Sequence, residues 1–343
     1  TISASVAEEF SLKSGIDIAG IINAALRKIG FDHVFETVFG ADMLVIEQAK
    51  EFIDRFEKGE KLPLLTSCCP AWIKFAEDRY PDLFPHLSVV KSPQQIMGSA
   101  IRNFVPAITG IQPETIFSVS IMPCTAKKYE AQKVEMSQKG VPDIDRVLTV
   151  RELVRLIRLH GIDMDHLEPE PADEPMGAMS SAGKLFGVSG GSLEALIRTV
   201  YFRLTGKELE SLRMSKLRSI RNLKEMTLKA GKRELNVAAV SGMAAAVNLL
   251  DAIRTGKKSY DIIEIMACPG GCINGGGQPI RHDEGILKNR AKALYDFDSR
   301  DMIKLAHKNP QVIKAYEVYY DKPGSEKCIN QLHTSFSARE VIN

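Results

Sequence analysis

The 343-residue sequence lacks several features that would assign it quickly to a class of protein. It has no apolar run that could span a membrane, because its longest weakly polar stretch, residues 237–250, is broken by Ser-Gly and Asn and predicts a strand, a turn and a helix. With 45 basic and 43 acidic residues, the net charge of +2 gives no reason to expect a nucleic-acid partner. The seven histidines show no HxxxH or HxxH pairing, so we expect surface or core roles for them.

Cysteine is scarce too, with six residues in the whole chain. A chain of this length needs no disulfide framework, and most of its cysteines lie in loops that contain Gly or Pro. They therefore predict metal binding or catalysis in a reducing cytoplasm. The sequence opens with Thr and without a signal-peptide pattern, so we expect it to be part of a longer protein.

The sequence does contain an alternation of short apolar runs and amphipathic helices, which predicts an α/β fold with parallel strands. Its length favours two lobes. Three predicted strands each end at a cysteine loop: residues 62–67, 115–122 and 260–267. Because ligands of parallel α/β sheets bind beyond the carboxyl ends of the strands, we expect these loops to converge.

The segment CPGGC (268–272) spaces two thiols by three residues, with two glycines between them. The other loop thiols come from distant segments, which favours an iron–sulfur cubane held by four thiolates. A zinc site or unligated thiols remain alternatives on spacing alone. The three loops contain five cysteines, so one of the adjacent pair Cys68 and Cys69 is spare, and we expect Cys328 in the tail to be structural.

Three segments resemble, in order, the signature segments of the iron-only (FeFe) hydrogenases: TSCCPAW (66–72), MPCTAKKYEA (122–131) and EIMACPGGCINGGGQP (264–279). Further similar segments cover nearly the whole chain: VFGADMLVIEQAKEF (38–52), KSPQQ (91–95), LFGVSGG (185–191) and residues 307–324. The resemblance implies an α/β fold of two lobes, each with a parallel-rich sheet flanked by helices, and a cofactor buried between the lobes. One catalytic domain would then cover residues 1–343, with approximate lobes 1–140 and 141–300 and a helical tail, 301–343, that wraps the domain.

The resemblance also implies a cofactor and its ligands. Cys69, Cys124, Cys268 and Cys272 would hold a 4Fe–4S cluster, and Cys272 would bridge it to a diiron subsite that carries CO, cyanide and an azadithiolate. The two parts together are called the H-cluster, at which hydrogen is reversibly oxidised to protons and electrons. Lys127 would donate charge-assisted hydrogen bonds to a cyanide ligand. The other pocket positions implied are Met122, Met266, Pro93, Gln94 and Phe186.

Cys68 then fits the role of inner proton donor, and the resemblance extends a proton relay outward through Glu51, Ser88 and Arg55. Glu51 and Arg55 are four residues apart, and so share one helix face. Gln48 stands where well-studied relatives have a relay glutamate, and an amide cannot titrate at neutral pH. We expect either an altered route, through water or Glu47, or slow turnover.

Two other functions remain open within this resemblance. A hydrogen sensor with low turnover is favoured by Gln48, whereas the intact Cys68 favours an efficient enzyme. A non-enzymatic iron–sulfur protein resembling the eukaryotic assembly factors is the other alternative, although those proteins generally differ at the position of Cys68 and have GGAQ where this chain has GGGQ (275–278).

The partners implied are H2 and protons, maturation factors for the diiron subsite, and a ferredoxin-like electron carrier. No further ferredoxin-type cysteine motif occurs in the chain, so accessory clusters, where relatives carry them, would lie upstream. The basic stretch RMSKLRSIRNLK (213–224) is interpreted as a solvated face, with a docking patch for an acidic protein as the alternative.

Overall fold

The computed structural model describes residues 1–12, 18–219, 221–280 and 285–339. In these ranges the helices are α1 (Ile2–Glu9), α2 (Ile18–Ile29), α3 (Thr37–Lys58), α4 (Pro70–Arg79), α5 (Pro93–Thr109), α6 (Ala126–Ala131), α7 (Val150–Leu159), α8 (Ser181–Lys184), α9 (Gly191–Thr205), α10 (Met243–Arg254), α11 (Ile286–Arg300), α12 (Pro310–Ala315) and α13 (Glu326–Leu332). The strands are β1 (Leu64–Leu65), β2 (Val119–Met122), β3 (Ser137–Gln138), β4 (Val141–Pro142), β5 (Arg146–Thr149), β6 (Leu223–Ala230), β7 (Arg233–Ser241) and β8 (Ile262–Met266). None of the helices described is both long enough and apolar enough to cross a membrane.

Two sheets carry the strands that precede the cysteine loops. The larger sheet has the strand order β1–β8–β7–β6, in which β8 runs parallel to both of its neighbours and β6 is antiparallel to β7. The smaller sheet pairs β2 with β5 in parallel, with Val119 opposite Arg146. Helices pack on both sheets, and the expected α/β fold with parallel-rich sheets is confirmed.

Each of the two sheets contains strands from before and from after residue 140. Strand β1 precedes that point and pairs with β8, which follows it, and β2 similarly pairs with β5. Parallel pairing requires a long crossover between partners, so neighbours in a sheet come from distant parts of the sequence.

Helix α3 is the central helix of the fold. Phe39 and Met43 pack in one hydrophobic cluster with α5 and the C-terminal helices, and Ala49 and Phe52 pack in a second with α9 and the large sheet. The helix ends at Gly59, whose φ of 67° is left-handed and suits glycine. Because both clusters fix α3, the side chains that it presents toward the cysteine loops are held rigidly.

The C-terminal segment 301–339 packs against α3 and α5, and the buried carboxylates of Glu47 and Asp42 hold it there. Glu47 on α3 accepts hydrogen bonds from the Tyr316 hydroxyl at 2.7 Å, the Gly324 amide at 3.1 Å and His333 Nε2 at 3.0 Å. The last four residues of the predicted tail, 340–343, lie outside the described residues.

Candidate metal centre

The three cysteine loops converge, as the strand pattern predicted. Cys68 and Cys69 follow β1, Cys124 follows β2, and Cys268 and Cys272 follow β8. All five thiol-bearing residues line one cavity of about 300 Å³ whose walls are mainly apolar. A cavity of this volume can hold a group of many atoms, whereas a single metal ion needs only the small space between its ligands.

Glycine allows the loop between Cys268 and Cys272 to fold tightly against its surroundings. Gly271 has a φ of 98°, and a Cβ atom there would come within 2.6 Å of the Ser189 amide nitrogen and 3.0 Å of the Met266 sulfur. An L-residue would be strained in backbone and would also clash. The loop thus brings the half-buried Cys272 to the wall of the cavity.

The adjacent thiols lie in different surroundings. Cys68 packs against the hydrophobic cluster of α3, α5 and the tail, whereas Cys69 packs against the cluster of Leu65, Trp72 and the large sheet. The Cys69 sulfur also accepts a hydrogen bond from the Ala267 amide at 3.4 Å. The two neighbours therefore face different parts of the molecule while both reach the cavity.

Burial dominates the acidity of these thiols. It raises the pKa of Cys68 to about 12 and that of Cys268 to about 11, and it also raises the pKa values of Cys69 and Cys272. Desolvation disfavours a free thiolate, so a buried thiolate needs a cation to compensate its charge. Iron coordination supplies that compensation in thiolate-ligated clusters.

Lys127 places the terminal ammonium of a buried side chain at the same cavity. Its Nζ donates to the Cys68 carbonyl at 3.2 Å and to Glu130 Oε2 at 2.8 Å. Burial by itself would lower the pKa of Lys127, but Glu130 outweighs it and the pKa is raised. Ser92 Oγ and Gln94 Nε2 donate to the same Glu130 oxygen, at 2.9 and 3.4 Å, and so hold the carboxylate in place.

The remaining pocket positions implied by the family resemblance also line this cavity: Met122, Met266, Pro93, Gln94 and Phe186. Sequence analysis missed several apolar side chains of the wall, among them Met179, Leu294 and Phe297. Leu294 and Phe297 lie on α11, and their i, i+3 spacing was the available signal. Nothing in that spacing says which apolar face of a helix meets a cavity.

Three of the predicted relay residues, Glu51, Ser88 and Arg55, form one hydrogen-bonded group. Ser88 Oγ donates to Glu51 Oε2 at 2.6 Å, and Arg55 donates to Glu51 Oε1 at 2.6 Å. The Arg55 guanidinium also donates to the carbonyls of Pro85, His86 and Leu87. Side-chain exposures of 10% for Glu51 and 12% for Arg55 bring this group to the edge of solvent.

The side chains of Gln48 and Glu47 lie in different surroundings. Gln48 is buried on α3 three residues before Glu51, which puts the two side chains on neighbouring positions of one face. Glu47 is occupied by Tyr316, Gly324 and His333. Glu47 therefore anchors the C-terminal segment, and a proton route through it stays a prediction.

A buried glutamate that sequence analysis missed organises the turn before α9. Glu264, in the middle of β8, accepts hydrogen bonds from the Gly190 amide, the Ser192 hydroxyl and the Leu193 amide, the last at 2.9 Å. The carboxylate thus accepts from backbone donors at the N-terminus of α9, where the helix dipole favours a negative charge. The signal was present in the sequence, because a lone glutamate in an apolar strand needs buried partners.

Comparison with known proteins gives the family. The model of the family described as "Iron only hydrogenase large subunit, C-terminal domain" matches residues 1–276. The chain belongs to the iron-only hydrogenase family. Within that family assignment, the model described as "Iron hydrogenase small subunit" matches residues 284–339, most of the predicted C-terminal tail.

Bacterial hydrogenases are among the similar proteins. The chain is 41% identical over 348 residues to the NADP-reducing hydrogenase subunit HndD of Solidesulfovibrio fructosivorans, which covers 99% of this chain and 59% of the relative. It is 39% identical over 341 residues to iron hydrogenase 1 of Clostridium pasteurianum, covering 98% of this chain and 59% of the relative. The chain thus spans 59% of the length of these two relatives.

Two further similarities bear on fold and function. A variant of the apo [FeFe]-hydrogenase HydA1 from Chlamydomonas reinhardtii has a TM-score of 0.87 and 34% identity, with 99% of this chain and 93% of that chain covered. The cytosolic iron-sulfur assembly component 3 of Rattus norvegicus is 34% identical over 353 residues, covering 99% of this chain and 73% of the relative.

Proposed function

We propose that the chain is the catalytic domain of an iron-only hydrogenase that reversibly oxidises H2 to two protons and two electrons. The observation that carries the proposal is the convergence of five cysteines, from three separate loops, on one cavity of about 300 Å³. Four thiols suffice for a cubane, and the fifth is left for other chemistry. Its electron partner is proposed to be a ferredoxin-like carrier or an upstream iron–sulfur domain.

The residues present fit an H-cluster. Cys69, Cys124, Cys268 and Cys272 would hold the 4Fe–4S part, and the apolar walls around Met122, Met266 and Phe186 suit a weakly solvated diiron part. When bound, this group would supply the redox chemistry that interconverts H2 with protons and electrons. Maturation factors would have to deliver the diiron part.

Lys127 would bind and orient the anionic ligands of the group. Its ammonium already donates to the Cys68 carbonyl and to Glu130, and these two acceptors fix the direction of the side chain. A third N–H is then free to point into the cavity, because an ammonium has three donors. A charge-assisted bond from this donor would suit a compact anion such as cyanide.

Cys68 would hold the proton nearest to the reacting atoms. It lines the cavity but packs against a different hydrophobic cluster from Cys69, which supports separate roles for the two thiols. Glu51, Ser88 and Arg55 would exchange protons with solvent at the outer end of the path, and the bond between the Ser88 hydroxyl and Glu51 supports this role. Gln48, buried beside them, would be a non-titrating step.

A second candidate is a non-enzymatic role in iron–sulfur cluster assembly. The similarity to the rat assembly component over 99% of this chain favours it. The thiol at Cys68 and the GGGQ segment at 275–278 favour the enzyme, since we expect assembly factors of this kind to differ there. A hydrogen sensor with slow turnover is the third candidate, favoured by Gln48.

One sample discriminates among these functions. After maturation with the diiron group, an enzyme or a sensor should show infrared bands of CO and cyanide, and only the enzyme should also evolve and consume hydrogen rapidly. A matured protein that binds iron but shows neither the bands nor turnover would contradict the hydrogenase proposal and favour assembly. Metal analysis of the same sample would detect bound zinc if the cysteines form a zinc site.

A further inference from the structure

Strand β6 (Leu223–Ala230) forms one edge of the large sheet, because the strand order β1–β8–β7–β6 gives it a single neighbour. All of its 8 residues pair antiparallel with β7, from Leu223 opposite Val240 to Ala230 opposite Arg233. In the described part of the chain, no backbone hydrogen bond from outside the sheet reaches β6. Such an edge presents a row of free N–H and C=O groups to any strand that can pair with it.

The pairing with β7 identifies the residues of β6 whose backbone groups are free. The Asn236 carbonyl in β7 accepts from the amide just before β8 at 2.7 Å, so Asn236 directs its backbone toward β8. Backbone direction alternates along a strand, so the two neighbours of Asn236 face β6, where they lie opposite Met226 and Leu228. The alternate residues of β6 direct their N–H and C=O groups outward: Glu225, Thr227 and Lys229.

The two faces of β6 differ in chemistry. Met226 and Leu228 pack on the hydrophobic cluster of α9 and the large sheet but are half-buried, so this cluster is open along the edge. Glu225, Thr227 and Lys229 are exposed on the opposite face. A strand added at this edge would cover the open apolar side chains and complete the free backbone hydrogen bonds.

The charges of the exposed face are open toward the same edge. Glu225 accepts from Lys258 Nζ at 2.8 Å and from the Tyr260 hydroxyl. Lys229 lies opposite Glu234 of β7 and makes no ion pair with the residues that the structure describes. The outer edge of the sheet therefore ends in an acid at one position and in a base four residues further along.

We propose that β6 pairs antiparallel with β6 of a second copy of this chain, about a two-fold axis at Thr227. This register uses the free backbone groups of all three outward residues and places Glu225 opposite the partner's Lys229 on each side of the axis. On the other face, Met226 meets the partner's Leu228. Two four-stranded sheets would thereby join into one sheet of eight strands.

Charge favours this register and a second copy as the occupant. Across the joined edge, Glu234 and Lys229 would be followed by the partner's Glu225 and Lys258, in alternating sign. Registers centred on Glu225 or on Lys229 would set like charges directly opposite each other, which is destabilising, and would pair fewer residues. The same strand thus supplies both the acid and the base at the spacing that its own antiparallel copy requires.

Sedimentation velocity on the chain of 343 residues measures the dimer and needs no cofactor. We expect a concentration-dependent dimer in the parent. Its dissociation constant should rise by about tenfold or more in Lys229→Glu and in Glu225→Lys, because each variant sets two like-charged pairs across the axis. The two variants complement each other, so an equimolar mixture should regain the parental affinity as a heterodimer. Recovery requires both variants to be folded, which excludes misfolding as the cause of dissociation.

Thr227→Pro tests the backbone pairing separately. It removes an outward N–H group and leaves the hydrogen bonds to β7 in place, so it should also dissociate the dimer. The matched control is Lys314→Glu, an exposed cation on α12, which packs in the other hydrophobic cluster, with α3 and α5. This variant should dimerise as the parent does.

Each contrary result has a defined meaning. A parent that sediments as a monomer at every concentration overturns the proposal. A dimer that persists in Thr227→Pro and in both charge variants uses another surface and also overturns it, and a mixture that stays monomeric overturns the register. None of these results depends on hydrogen turnover, so failure of this inference is distinct from failure of the proposed function.

Discussion

Cys68 and Cys69 are adjacent in the chain, but each packs against a different hydrophobic cluster, which supports a different role for each thiol. If Cys68 carries the inner proton, Cys68→Ala should retain the 4Fe–4S cluster and lose turnover by about a hundredfold or more, the range of a general acid–base group. Iron content and the paramagnetic resonance of the reduced cluster report the first expectation, and hydrogen evolution with a viologen dye reports the second.

Cys328→Ala is the matched control for that experiment. Cys328 is also buried, but it packs among the C-terminal helices and its thiol donates to the Lys322 carbonyl at 3.5 Å. Its removal should lower the free energy of unfolding by about 1–2 kcal/mol and leave turnover as in the parent. Full activity in Cys68→Ala would remove that thiol from the proton path.

Gln48→Glu tests the amide position in the proposed relay, which cannot titrate. Gln48 is 3% exposed, so a carboxyl there would join the buried path and be able to carry a proton. If proton delivery limits the parent, turnover should rise by about tenfold or more, and the pH–rate profile should gain a titrating group. Gln48→Met, similar in shape but unable to hydrogen-bond, should not accelerate; equal rates in parent and Gln48→Glu would place the limiting step elsewhere.

Sequence patterns located the cysteines but could not locate buried charges. Thiols in Gly-rich loops after strands are a local pattern, so their convergence followed from topology. Arg198, by contrast, looks like an ordinary surface residue in sequence, yet it is 1% exposed. Arg198 pairs with Asp298, a hundred residues away, and such a partner is visible only after folding.

At the scale of elements, the loop 268–272 depends on one glycine. Gly271→Ala would combine a φ of 98° with contacts at 2.6 and 3.0 Å to Ser189 and Met266. We expect the free energy of unfolding to fall by about 1–3 kcal/mol and bound iron per chain to fall with it. Calorimetry and iron analysis after reconstitution measure the two effects.

Gly256→Ala supplies the comparison for that variant. Gly256 has a φ of 69°, but a Cβ atom there meets nothing within 4 Å. The Gly256→Ala variant should lose about 1–2 kcal/mol of stability from backbone strain alone and keep the parental iron content. An equal loss of iron in both variants would show that strain, and not the close packing of the cysteine loop, controls cluster binding.

Strand existence was predictable from sequence, but strand limits were not. The apolar run 115–122 predicted a strand, yet only Val119–Met122 is one, because a 3₁₀ turn covers Pro113–Thr115 and the pairing with β5 begins at Val119. Strand β6 was not predicted, although LKEMTLKA (223–230) alternates with a period of about two. Because the neighbouring residues 213–222 are basic, the stretch 213–224 is interpreted from the sequence as a solvated face.

For the whole molecule, helix α3 links the metal centre to the C-terminal segment. Residues on one part of the helix, Gln48 and Glu51, face the proposed proton path, while Glu47 and Asp42 bind the segment after residue 300. Asp42 is fully buried and accepts hydrogen bonds from Ser180 and from Asn309 Nδ2, the latter at 2.8 Å. One carboxyl therefore joins α3, the segment before α8 and the C-terminal segment.

This carboxyl makes stability depend on pH in a defined direction. Burial raises the pKa of Asp42 from its ordinary value of 3.8 to about 6, despite the hydrogen bonds it accepts. Between these values the folded protein keeps the proton and the unfolded chain loses it, so the contribution of Asp42 is most favourable below pH 4 and declines as the pH rises to about 6.

Asp42→Asn cannot titrate. Its free energy of unfolding relative to the parent should therefore increase between pH 4 and 6, by at most about 1.4 kcal/mol per pH unit, and level off above 6. Denaturant titrations at each pH measure this difference, and a difference that is flat or decreases across the window would contradict the assignment.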